Sequence, residues 1–156
     1  MAFYARPGVA AACLELQDRE GSDVNLLLLA LWLGTVGHRL DTATGQSLAE
    51  AGADWQQPFI GPLRQVRRRL KQHLAGADPA WPEALRYWRG RLAEIELALE
   101  QMEQLRLELL AGAAGHGAPD EIVARDNFRA LGLGPLLDQP EAMLLLATAF
   151  PPRPPR

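Results

Sequence analysis

The chain has a single cysteine, Cys13, so no intramolecular disulfide can form. Stability without disulfides fits a reducing compartment. Cys13 lies in an Ala/Leu-rich helical pattern and reads as a buried thiol that packs like a small hydrophobe. Serine is nearly as scarce. Ser22 and Ser47 are the two present, and neither stands in a Gly-x-Ser-x-Gly elbow, which removes the usual setting of a hydrolase nucleophile. Valine, isoleucine and threonine are few, and no stretch alternates apolar and polar residues, so a sheet is not expected. The most apolar stretch, Val24 to Val36, is interrupted by Asn25, Gly34 and Thr35 and falls well short of the roughly 20 residues a membrane-spanning helix needs. The opening residues Met1 to Pro7 have no basic segment followed by an apolar one, so no secretory leader is expected. A net charge of −3 over 156 residues is too small to imply a highly charged partner for the whole chain.

What remains is helix-forming. Ala, Leu, Glu, Gln and Arg dominate, and apolar residues recur at spacings of three and four. The pattern predicts an all-α fold: a single-domain bundle of six to seven helices over residues 1–150, with a Pro-rich tail at 151–156 and one long helix near 82–110. The first helix begins near Pro7 and ends at Gly21, placed as a left-handed cap. Ser22 or Asp23 caps the second, which is apolar on nearly all sides and is expected to be central, with Leu28 and Trp32 in the core. Asp41 or Thr42 opens a third. Pro58, Gly61 and Pro62 break or kink the path. The fourth helix sets Leu63, Val66, Leu70 and Leu74 in a stripe toward the core. Pro82 opens the long fifth. Gly112 to Pro119 reads as a mobile loop, and two short helices follow, near Asp120–Leu131 and Glu141–Phe150.

Candidate chemistry is thin. His38, His73 and His116 are not paired at ligand spacing, and neither a metal nor a cofactor is expected. Glu96, Glu100 and Glu103 share a helical face, but no Glu-x-x-His accompanies them, so a solvated acidic face is the reading rather than a di-iron site. Asp23 and Asn25 are polar residues at the mouth of the most apolar helix. They either fix the turn before it by a local hydrogen bond or line a small-ligand or enzymatic pocket. The clearest asymmetry is electrostatic. Residues 61–91 carry eight basic and two acidic side chains, a local charge of +6, with Trp81, Tyr87 and Trp88 interleaved; residues 92–110 carry five acids and Arg106, a local charge of −4. Arg64, Arg67, Arg68 and Lys71 form a basic face that either pairs with the acidic stretch, meets a protein partner, or holds nucleic acid or another polyanion.

The segments Tyr4-Ala-Arg-Pro-Gly-Val9, Leu16-Gln-Asp18, Asp23-Val-Asn-Leu-Leu-Leu28 and Pro62-Leu-Arg-Gln-Val-Arg-Arg-Arg-Leu-Lys71 together resemble an uncharacterised family of short proteobacterial helical proteins, from Tyr4 to about Leu110. The resemblance implies an all-α fold in a bacterial cytoplasm and carries no activity, so it transfers no catalytic residue. The reading that results is a non-catalytic cytoplasmic interaction or accessory protein, partnered by another protein or by a second copy. Nucleic acid is a less favoured partner, and no membrane contact is expected.

Overall fold

A computed structural model describes residues 3–76, 81–112 and 117–152. Among them the fold is all-α. Seven α-helices run in order: α1 (Val9–Glu20), α2 (Val24–Thr35), α3 (Thr42–Trp55), α4 (Gly61–Leu74), α5 (Pro82–Ala111), α6 (Glu121–Ala130) and α7 (Pro140–Ala149). A π-helical turn, Gln56–Ile60, leads into α4, and a 3-10 turn, Gly134–Asp138, precedes α7. None of these helices is long and apolar enough to cross a membrane.

Local chemistry sets most boundaries. Gly21 ends α1 with φ 66° and donates its N–H to Gln17 O. Glycine adopts that backbone without strain. Asp23 caps α2 by accepting the Asn25 N–H at 2.8 Å, and Asp120 caps α6 by accepting from Ile122 and Val123. Asp41 accepts the Thr44 N–H at 2.7 Å at the mouth of α3, and that bond holds its carboxyl below the ordinary range.

The chain divides into two compact units, residues 1–52 with 107–156, and residues 53–106, the divisions falling within α3 and within α5. The sequence reading drew no such boundary. The first unit holds a continuous apolar core. α2 is its centre, packing chiefly on α6 and also on α1 and α7; eight of its twelve residues are buried. The α2–α6 contact is close because both sides are small: a Cβ on Gly34 would lie 2.5 Å from the Ala124 Cβ. Asn127, fully buried on α6, donates to His38 O and accepts from Leu40 N, so one amide fixes the α2–α3 connection and leaves neither backbone group unpaired. Burial pushes the Cys13 thiol up to about 11.

Three expectations are corrected and one is made specific. Trp32 is not a core residue: it is 40% exposed, and Leu28 is only partly buried. A helix apolar on every side gives periodicity no direction, so spacing alone could not choose its outer face. The Leu63, Val66, Leu70 and Leu74 stripe does not enter a core. No residue of α4 is buried, and Val66 is 46% exposed. Pro58 interrupts the regular α path, as expected, and the interruption takes the form of a widened turn. Proline lacks the N–H and its ring crowds the preceding turn, and the chain answers with the π turn. The loop before α6 lies partly outside the described residues, which exclude 113–116 and with them His116. Residues 117–120 are pinned rather than mobile: Gly117 N donates to Val36 O and Asp120 N to Gly34 O, against Gly37, whose φ of +65° a side chain would strain.

Candidate functional site

The second unit has few buried side chains, and what it buries is unusual. Among its described residues the buried ones are Ile60, Glu96 and Glu103. Carboxylates buried in this way need partners: Glu96 is paired with two guanidiniums, and Glu103 accepts a hydrogen bond from Gln56.

Glu96 lies between two guanidiniums. Arg67 Nε and Nη2 donate to its two oxygens at 2.7 and 3.1 Å, and Arg64 Nε donates to Oε1 at 2.9 Å. Arg64 also reaches Glu100 through Nη2 and Gln56 Oε1 at 3.3 Å. Gln56 then donates through Nε2 to Glu103 Oε2 at 2.7 Å. Six side chains thus form one chain of polar contacts joining the π turn and α4 to α5. Planar guanidinium forks suit carboxylates in this way, and the central donor and acceptor are mostly desolvated: the Arg64 side chain is 11% exposed and Glu96 7%. The π turn supports the same join. Trp55 Nε1 donates to Leu99 O at 2.9 Å, its ring lies 5.2 Å from Phe59, and the Arg106 guanidinium sits 6.0 Å from its centroid.

The acidic face is therefore not solvated. Glu96 and Glu103 are buried and Glu100 is partly so. Spacing put the three carboxylates on one face correctly but could not say what opposes that face. Of the four basic candidates, Arg64 and Arg67 are engaged by Glu96 and Glu100, while Arg68 and Lys71 lie at exposed positions on α4, beside exposed Arg69. Asp23 and Asn25 meet at the α2 cap, and Asn25 is buried. A hollow of about 440 Å³ lies elsewhere in the first unit, between α1 and α7, lined by Gly8, Ala12, Glu15, Glu141 and Leu144. Among the described residues no group of three or more His, Cys, Asp or Glu side chains is placed to hold a metal ion. His38 sits at the α2–α3 connection and His73 is exposed on α4.

Sequence reasoning missed Gln56, Trp55 and Asn127. Each acts through a partner 44 to 89 residues away, which local pattern cannot register. A further pattern runs along the outer side of α5. Trp88, Ile95 and Met102 recur every seven residues, and they are 60%, 47% and 55% exposed.

Fold and site together define an all-α protein whose charged cluster joins two helices and whose apolar side chains, over the same helix, turn outward. Within that class the chain belongs to the family described as protein of unknown function (DUF2390), whose model matches residues 1–107. The match takes in α1 to α4 and most of α5; α6 and α7 follow it. No curated protein and no solved structure matches the chain.

Proposed function

We propose that this is a non-catalytic, cytoplasmic interaction protein whose partner surface is the outer side of α5. One observation carries the reading. In residues 53–106 Glu96 and Glu100 are paired with Arg64 and Arg67, while Tyr87, Trp88, Ile95, Met102 and Leu105 are 47–61% exposed. Aromatic residues and methionine are enriched in the centres of protein interfaces, and an exposed contiguous apolar surface on a small protein marks an interaction site.

Site-specific photo-crosslinking in cells tests this. A photoreactive residue at position 88 or 95 should give discrete adducts, and the same residue at exposed Asp138 should not. Equal labelling at all three positions would sink the reading.

A second reading, polyanion binding, keeps support from the exposure of Arg68, Arg69 and Lys71. It predicts nucleic-acid affinity that falls steeply with salt and is lost in the triple alanine variant. It does not require Arg64 or Arg67, which their ion pairs hold.

A further inference from the structure

We infer that the outer stripe of α5 is a self-association face, on which two copies pack α5 against α5 in antiparallel orientation. The inference rests on the reading of α5 as the partner surface and names the partner.

The stripe has the spacing that helix pairing requires. Trp88, Ile95 and Met102 stand seven apart, and Ala84, Ala98 and Leu105 take complementary positions before, within and after that run, all exposed. Apolar residues at alternating spacings of three and four make a continuous seam on a helix. The seam of charge-free residues is interrupted once, by Arg91, which pairs with Glu94 one turn on along the same helix. The opposite side of α5 is already occupied, since Glu96 and Glu100 face Arg64 and Arg67. A second copy therefore meets a side whose apolar residues are exposed, and two α5 helices joined there, each with the α4 that its ion pairs hold, make a four-helix arrangement.

Area supports a stable pair. Large aromatic side chains offer about 150–250 Å² each. At the exposures of Tyr87, Trp88, Ile95, Met102 and Leu105, the stripe leaves on the order of 600 Å² of apolar side chain per chain. That is roughly 1,200 Å² across two copies, within the range of specific interfaces.

Bulk decides the orientation. The aromatic pair Tyr87 and Trp88 crowds one end of the stripe, with ring centroids 5.2 Å apart, and Ala98 sits past its middle. Antiparallel pairing centred between Glu96 and Leu97 sets Trp88 against the partner's Leu105, Ile95 against the partner's smaller Ala98, and Met102 against the aliphatic stem of the partner's Arg91. Parallel pairing would set tryptophan on tryptophan and alanine on alanine. The contact is isologous, so one sequence supplies both halves.

Sedimentation of the purified full chain tests the inference. At about 100 μM, well above the micromolar Kd that such an area commonly supports, the expected mass is twice the 17.1 kDa chain. Ile95→Glu with Met102→Glu should return it to the monomer with unchanged helical circular dichroism. Leu105→Glu alone should weaken the dimer at least tenfold, and Leu97→Glu, exposed off the stripe, should leave it intact. Orientation is read by cysteine crosslinking in a Cys13→Ala background. Ala98→Cys, near the symmetry axis, should form a disulfide dimer and Ala84→Cys should not; efficient crosslinking at both would show a parallel pair and overturn the orientation. A monomer at every concentration, or a dimer that survives the double substitution, overturns the inference. So does loss of anionic-vesicle binding, rather than of self-association, in the same variants. If the purified chain is monomeric while positions 88 and 95 still crosslink to a different protein in cells, self-association fails and the interaction-protein reading stands.

Discussion

The two units of this chain solve opposite problems with the same helix-forming alphabet. Residues 1–52 and 107–156 bury leucines, alanines and Phe128 in one cluster, with the uncharged amides of Asn25 and Asn127 among the buried polar groups. Residues 53–106 bury two glutamates, enclose the arginines that pair with them, and expose tryptophan, tyrosine, isoleucine, leucine and methionine. The first unit draws its stability from area removed from water. The second is held by geometry: ion pairs whose attraction roughly offsets the cost of desolvating them, but which fix one arrangement of the π turn, α4 and α5. Apolar area that is not used inside is available outside, which is why the proposed partner surface is placed on the second unit.

Substitutions can break that contrast in order of size. The largest effect belongs to the apolar core. Phe128→Ala should cost about 4 kcal/mol, read as a lowered urea midpoint; a shift below about 1 kcal/mol would show that the first unit is not held by its core. Arg64→Ala should cost about 3 kcal/mol, because it leaves Glu96 and Glu100 short of a charge partner in a largely desolvated place. The sharper comparison replaces Arg64, Arg67, Glu96 and Glu100 together by leucine and methionine. If the network confers arrangement rather than stability, that variant loses less than Arg64→Ala alone, and a larger loss would overturn the distinction between the units.

A smaller, pH-gated effect probes the first unit from within. The Cys13 thiol is raised from 9.0 to about 11 by burial, so the unfolded chain ionises first as pH climbs. Stability should fall between pH 9 and 11 by linkage, and the wild-type decline should exceed that of Cys13→Ala over the same range. Native protein should also resist iodoacetamide at pH 8 and react once unfolded, since the thiolate is the nucleophile. Rapid labelling of folded protein would contradict the burial. Trp32→Ala gives the smallest change. At 40% exposure it should cost roughly 1 kcal/mol, against about 3–5 for a fully buried aromatic; a core-sized loss in the urea midpoint would reinstate Trp32 as interior.

What could be read in advance follows the range of the forces involved. Gly21, Asp23 and Asp120 act on backbone within a few residues, so helix ends were close to their observed places. The length of α5 and the shared face of Glu96, Glu100 and Glu103 follow from spacing alone. The burial of that face does not, because it depends on Arg64 and Arg67 arriving from about 30 residues away. The alternatives for the basic helix included pairing with the acidic stretch, and the structure shows that pairing for Arg64 and Arg67. Asn127 looks like any helical asparagine until His38 and Leu40 are seen beside it. The direction of the exposed stripe was hidden for a related reason: a helix with apolar residues on two sides does not announce which one its own chain will use.

The π turn at Gln56–Ile60 bears on how this protein can change over time. A π turn closes with about one residue more than an α turn, so it stores a spare residue without altering the faces presented on either side. Loss of one residue there, at exposed Gln57 for example, would tighten the turn to ordinary helix and leave Arg64 and Arg67 aimed at Glu96. Loss of one residue within α4, at Gln65, has no such slack to draw on and would swing Arg67 by about 100° around the helix axis. The turn is thus the place in residues 53–74 where length can drift without cost to the ion pairs, and natural variation in chain length should collect there rather than one turn later.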